Sequence, residues 1–426
     1  MSVNPLFKGL IERFADAQWL SEQLGFEVRA TSLRIKPDTS ITAGSISADG
    51  VHGWARVLWP DGARKAEKLQ RVAESRGLAV RTTALGGELL FQHGEVASDP
   101  KLMDILAEAG VNSGGTVLRY NPGRRLVLAT GTPAGLEQAG LGTPADAEPL
   151  GTAARQQLGE QPASVLRLTV SKNPISLELY RALEQHVAVP QRFDSGDNPH
   201  VSELAFVGSG TDLLQVPGNP QRARGAGELF AHLHASTEYL PQQQMASLSG
   251  RAVNPAVQAA AHIELFDIVD PAIAERLRVL LATMEPLMAE FFRQQPVLVH
   301  GDASPDQVLL GVAEQPGKPP LWLTDLDRMH CAPAAMDVGS YLAVATSDDG
   351  EVFLEGYRSA ARSSASYSQP TAGLPTNRHI RLATAFSHIA RLAGPLRSAD
   401  PNWREPTHQT LNTIEQLIRT AQETTP

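Results

Sequence analysis

Val297-Leu-Val-His300-Gly301-Asp302-Ala-Ser-Pro-Asp306-Gln307-Val-Leu-Leu310 decides how this chain of 426 residues is read. An apolar run of strand character delivers His-Gly-Asp into a loop, an amide side chain follows five positions after Asp302, and a second apolar run closes the unit. Phosphoryl transfer asks for these residue types. A carboxylate beside an acceptor hydroxyl orients it and takes its proton, and an amide oxygen a few residues on coordinates the magnesium that bridges the phosphates. Downstream, Leu321-Trp-Leu-Thr-Asp325-Leu-Asp327 is another short apolar strand that runs into carboxylates, the hard oxygen donors this ion prefers. An isolated His-Gly-Asp is a common turn. The spaced combination with the amide and the Asp-x-Asp is not.

Around this unit the second half of the chain is helical. Arg224 to His234, Pro255 to Ile268, Pro271 to Gln294, His379 to Leu392 and Thr407 to Glu423 carry apolar residues at helical spacing. A connector, Val207-Gly208-Ser209-Gly210, separates it from a β-rich first half. There, an amphipathic helix over Leu6 to Gly25 precedes strands at Ser32 to Pro37, Ser40 to Ile46 and His52 to Trp59, then a helix from Arg64 to Arg76 that stops at Gly77. The order recurs. Strands at Thr116 to Tyr120, Arg125 to Thr130 and Ser164 to Val170 lead to a helix over Pro174 to His186, with Asn173 as its expected N-cap. Leu33-Arg34 and Pro37 align with Leu118-Arg119 and Pro122 at one constant offset, so two readings stay open: a duplicated β-rich module, or two unrelated meanders with similar turns. Gly131 to Gln161, rich in Gly, Ala and Pro, is expected to be a long surface loop.

Composition narrows the function. With 46 acidic and 37 basic side chains the formal charge is −9, which argues against nucleic acid as a partner. The single cysteine, Cys331, excludes an intramolecular disulfide and thiolate zinc sites, and suits a reducing, cytoplasmic compartment. Met1 to Phe14 does not read as a secretory signal, and no apolar run is long enough to span a bilayer, so no membrane role is expected. Gly311 to Lys318 imitates a phosphate-binding loop but has the wrong spacing and Pro319 where Ser or Thr is needed. His232 and His234 lie two apart on a helix, face different directions and read as structural.

The motifs resemble those of the aminoglycoside phosphotransferase and choline kinase family. His300-Gly301-Asp302 with Gln307 is similar to its catalytic loop, Asp325-Leu326-Asp327 to its metal-binding motif, and Pro333 to Leu342, with Asp337, to the segment that follows. Gly227 to His234 is similar to the helix before the catalytic loop. The resemblance implies an α+β, protein-kinase-like two-lobe fold with an additional N-terminal β-rich cap: residues 1–100 as cap, 101–206 as nucleotide-binding lobe and 207–426 as helical catalytic lobe. It implies that Asp302 is the catalytic base, that Gln307 and Asp325 are magnesium ligands, and that His300 and Asp337 are architectural. Asp327 is either a second metal ligand or a capping acid. Gln307 stands where most of the family has Asn, a feature shared with maltokinase-like members. On the third strand of the nucleotide lobe Arg167 takes the place of the expected Lys, with Lys172 just beyond, and Glu178 or Glu184 is the expected helix partner. Asn121-Pro-Gly123-Arg124 would be the turn over the phosphates, and Trp403 either lines an acceptor pocket or anchors a helix. The activity so implied is an ATP- and magnesium-dependent transfer of the γ-phosphoryl group to a hydroxyl of a small polar acceptor: a sugar, an amino sugar or an aminoglycoside. The negative net charge suits a cationic acceptor. The Arg at 167 and Gln at 307 leave a second class open, a pseudokinase that binds nucleotide without turnover.

Overall fold

The computed structural model describes residues 5–36, 39–86, 88–111, 114–131, 140–141, 163–196, 198–249, 251, 255–312, 320–363 and 374–423. The chain opens with helices α1 (Pro5–Ala15) and α2 (Ala17–Leu24), the second capped by the Asp16 carboxylate, which accepts from the Gln18 and Trp19 amides. Strands β1 (Val28–Lys36), β2 (Ser40–Ser47) and β3 (His52–Leu58) form an antiparallel meander; α3 (Ala63–Ser75) then leads to β4 (Val80–Ala84) and β5 (Leu90–Glu95), giving a sheet of order β1-β2-β3-β5-β4.

After α4 (Met103–Glu108) a second sheet is built from β6 (Gly114–Asn121), β7 (Arg125–Thr130), the two-residue β8 (Gly140–Leu141) and β9 (Ser164–Thr169), then helix α5 (Leu177–Glu184), β10 (Arg192–Phe193) and β11 (Val201–Ala205). Its order is β10-β11-β9-β7-β6-β8. Apart from β8, both sheets therefore share one plan: a three-strand meander, a helix, and two strands of which the second pairs with the third of the meander. The helix of the second unit starts later than the spacing suggested. Ser176, not Asn173, caps α5 through the Leu179 amide, while Asn173 closes an Asx turn on Ile175, because Pro174 favours a turn before the helix can start. Apart from Gly140–Leu141, the long loop expected up to Gln161 lies outside the described residues from 132 onward.

The helical half contains α6 (Pro220–Ala235), α7 (Gln242–Ser249), α8 (Pro255–Val269), α9 (Pro271–Phe291), β12 (Pro296–Val299), β13 (Val308–Leu310), β14 (Leu321–Leu323), β15 (His330–Pro333), α10 (Ala335–Leu342), α11 (Ser347–Ser363), α12 (Asn377–Arg391), α13 (Gly394–Arg397) and α14 (Arg404–Glu423). Two short antiparallel pairs, β12 with β15 and β13 with β14, present the loops of the site. Helices α6 and α11 approach so closely that a Cβ on Gly227 would lie 2.1 Å from the Phe353 carbonyl oxygen, and one on Gly356 equally close to that of Arg224. One buried apolar cluster runs from Phe7, Phe14 and Phe91 in the first hundred residues to Phe266, Phe386 and Trp403 in the helical half. Trp403 is buried with its ring stacked on Phe266, so it anchors helices instead of lining a pocket.

Candidate active site

β12 ends in the apolar Leu298-Val299, fully buried, and the chain then turns at Gly301, whose φ of +80° and whose contacts admit no side chain: a Cβ would sit 2.3 Å from the Arg328 carbonyl oxygen. The turn hangs on Asp337, at the start of α10. Its two carboxylate oxygens accept the His300 amide at 2.6 Å and the Gly301 amide at 2.9 Å, and one of them also accepts His234 Nε2 at 3.1 Å. Because an ionised carboxylate only accepts, His234 carries its proton on Nε2 and receives the Tyr357 hydroxyl on Nδ1 at 2.8 Å. Burial alone would push the Asp337 carboxyl up, but the hydrogen bond and electrostatic attraction of His234, then the nearby His300 and the Gly301 amide, outweigh it and hold the group below its usual value. His234 is thus structural, as its spacing indicated.

His300 ties the two loops of the site together. Its Nε2 donates to the Thr324 carbonyl at 2.7 Å, and its Nδ1 accepts the Asp302 amide at 3.3 Å. The Thr324 amide in turn donates to the Gln307 carbonyl at 3.0 Å, so Gln307 and Asp325 are brought side by side. Gln307 gives its side-chain Nε2 to Asp306 at 2.9 Å, and Ser304 Oγ donates to the same carboxylate. Asp306 is therefore the brace of this loop, and it leaves the Gln307 amide oxygen without a hydrogen bond among the described residues.

Asp302 keeps its side chain 36% exposed on the wall of a cavity of about 300 Å³, with Arg328 at 3.3 Å from one oxygen and Arg391 at 3.4 Å from the other. Arg391 is steadied by the Ser340 and Ser387 hydroxyls. Neither arginine is marked by any motif.

Asp325 sits at φ +55° between β14 and the 3-10 turn Leu326–Arg328, a left-handed conformation uncommon outside glycine. Arg167 on β9 reaches across to it at 2.9 Å and also pairs with Asp327, while Arg125 at the start of β7 holds the other Asp325 oxygen at 3.2 Å. Burial favours the neutral acid, but the two guanidiniums overcome it and carry the Asp325 carboxyl down to about 2. At Asp327 burial prevails over Arg167, and the neighbouring Asp325 adds to it, so that carboxyl is raised.

Of the residues expected to serve the nucleotide, Arg167 faces the site, whereas Lys172 and Glu178 are exposed and neither pairs with it among the described residues. Glu184 accepts the Arg192 amide instead. Arg125, which the sequence marks only as a strand residue, supplies the second cation. The turn Asn121 to Arg124 does join β6 to β7, and it is pinned by the buried Asp99, which accepts the Gly123 amide and the Tyr120 hydroxyl, each at 2.7 Å. The oxygen donors of Asp325 and Gln307 fit a hard divalent cation, which usually takes one or two protein ligands and completes its shell with phosphate and water.

Solved structures with a similar course of the backbone include the GDP complex of wild-type aminoglycoside 2'-phosphotransferase-IIIa (18% identity, 75% of this chain and 97% of that one, TM-score 0.45). Others are the ADP-bound aminoglycoside phosphotransferase APH(2'')-Ib (14%, 75% and 97%, 0.42) and choline kinase LicA from Streptococcus pneumoniae (11%, 74% and 98%, 0.46). No curated protein matches the chain. A sequence model described as the phosphotransferase enzyme family (APH) matches residues 171–372, from just after β9 to beyond α11. That span, a little under half of the chain, is the part similar to the phosphotransferase enzyme family, and it holds Asp302, Gln307, Asp325 and Asp337 in the geometry described above.

Proposed function

We propose that the chain transfers the γ-phosphoryl group of a nucleoside triphosphate, with magnesium, to a hydroxyl of a small sugar-like acceptor. The observation that carries this reading is the hydrogen-bonded joint His300–Thr324–Gln307, which sets the Asp302 loop against the Asp325 loop with the acceptor-sized cavity on the Asp302 side. Asp302 accepts the acceptor's hydroxyl proton as its oxygen attacks the γ-phosphorus and the bond to the β-phosphate oxygen breaks. Arg328 and Arg391, one on each carboxylate oxygen, fix the rotation of that base. Asp325 and Gln307 would hold magnesium, which supplies neutralisation of phosphate charge when bound. Arg125 and Arg167 lie where guanidinium forks can meet phosphate oxygens.

The acceptor cavity is lined by Arg251, Arg328 and Arg391 and by Asp302, Asp327 and Asp337, three side chains of each sign, so its wall does not select for a polycation. A neutral polyol or sugar fits this balance as well as an aminoglycoside does. A second reading, nucleotide binding without turnover, has its own support: both Asp325 oxygens are engaged by arginines, which compete with a metal ion for that carboxylate. ADP release with magnesium-ATP and a panel of sugars, amino sugars and aminoglycosides separates them. Turnover with a sugar that Asp302→Asn lowers by about 10²-fold or more, at unchanged melting temperature, is the expected result. Nucleotide binding without turnover on any acceptor would favour the second reading, and full activity of Asp302→Asn would remove the assigned base.

A further inference from the structure

A cavity of about 630 Å³, twice that beside Asp302, lies where the first sheet, the second sheet and the helical half meet. Six cations line it: Arg29, Arg34 and Lys36 from β1, Arg119 from β6, Arg124 from the turn before β7, and Arg397 from the end of α13. Among the described residues that line it there is no aspartate or glutamate. Arg34 and Arg119 occupy matching places in the repeated Leu-Arg strands, so the repeat brings its two arginines to one space.

Five of these six cations, all but Arg29, form no ion pair among the described residues. Arg34 spends one N–H on the Gly123 carbonyl at 3.4 Å. Arg34, more than burial, holds the Lys36 ammonium below its usual value; burial, and then neighbouring arginines, do the same to Arg124 and Arg397. The wall also carries an unused polar atom. A bulge in β1 between Ala30 and Ser32 turns the Thr31 and Ser32 hydroxyls together over Gly44, and Thr31 Oγ1 is buried without a hydrogen-bond partner among the described residues.

We propose that this cavity binds a small ligand bearing two or more phosphate groups, at a site separate from Asp302, Gln307 and Asp325, none of which lines it. A concave wall of one sign concentrates the field inside it, guanidinium forks match phosphate oxygens in geometry, and the volume is that of a small-molecule site. Because the cations come from both sheets and from the helical half, the bound anion clamps all three. Its charge is also within reach of Arg328, which repels Arg124 and Arg397 on one side and pairs with Asp302 on the other, giving the ligand a route to the catalytic base.

Inorganic tripolyphosphate added to the full chain without magnesium, against sodium chloride of equal ionic strength, tests the site by melting temperature. The midpoint should rise by about 3 °C or more at saturation. The exposed pair Lys36→Ser/Arg119→Ser should abolish the rise and, in ligand-free buffer, melt no lower than the parent, since it relieves repulsion. Arg167→Lys, changed only at the Asp325 cluster, should keep the rise. The proposal is overturned by no rise in the parent, by a rise that survives the double substitution or vanishes with Arg167→Lys, or by a ligand-free double variant melting several degrees below the parent.

Discussion

Asp337 accepts three hydrogen bonds with two oxygens, from the His300 and Gly301 amides and from His234, and it is fully buried. In Asp337→Asn one of those acceptors becomes a donor that faces another donor, and the charge that offsets burial is gone. The substitution should cost on the order of 3 kcal/mol or more, seen as a lower urea midpoint together with loss of turnover, since the turn that carries the proposed base hangs on this group. The pH sign follows from the lowered carboxyl: its contribution is complete above the unfolded value of about 4 and is lost as pH falls through the lower folded value. A parent-like midpoint for Asp337→Asn would show that the turn is held by other means. At this scale the acidic residues were legible because their spacing is tied to short strands. The arginines were not. Arg125, Arg328 and Arg391 meet the site from three separate elements, and a guanidinium's reach across a cleft leaves no periodic trace in sequence.

Helix pairing shows what a single element contributes. α6 carries His234 and α11 carries Tyr357, and Gly227 lets the two helices touch. Gly227→Ala would gain about 1 kcal/mol in helix propensity, yet its Cβ would lie 2.1 Å from the Phe353 oxygen and 2.6 Å from the Tyr357 nitrogen. Forcing the pair apart costs about 1–3 kcal/mol, so a net loss of up to about 2 kcal/mol is expected, with a lower kcat because the His234–Tyr357 support for Asp337 loosens. Gly9→Ala on α1 is the control: nothing lies within 4 Å of its Cβ, and it should stabilise. A second element-level expectation concerns His262 on α8. Burial and then the nearby Arg397 lower its pKa to about 4. The unfolded chain therefore takes up the proton first, and stability falls as pH drops from about 6.5 to 4, by on the order of 3 kcal/mol. Melting temperatures across that window should fall less steeply in His262→Leu; an unchanged slope would show that the ring is already charged. Elements with strong periodicity, such as α9 and β7, were readable to within a few residues. β4, reading Val-Arg-Thr-Thr-Ala, and β5, whose Gln92 and His93 are buried polar residues, were not, because the pairing of β5 with β3 and of β4 with β5, rather than their own pattern, makes them strands.

At the scale of the whole molecule the question is whether the first hundred residues stand alone. Two observations oppose it. Phe7, Phe14 and Phe91 share one buried cluster with Phe266, Phe386 and Trp403, and Asp99 holds the β6–β7 turn through Gly123 and Tyr120. Composition and the connector at Gly208 to Gly210 suggested separable parts, because a sequence displays linkers along the chain but not apolar faces that meet across it. A chain beginning at residue 101 would leave the helical face around Phe266 and Trp403 open to water, with each buried aromatic worth about 1.5–3 kcal/mol of transfer free energy, and would free the β6–β7 turn that Asp99 holds. That fragment should be recovered mainly as aggregate on size-exclusion chromatography, and co-expression with residues 1–100 as a separate chain should restore soluble material. A monodisperse, active fragment 101–426 would instead mean that the shared cluster is dispensable and that the first sheet is an appended module.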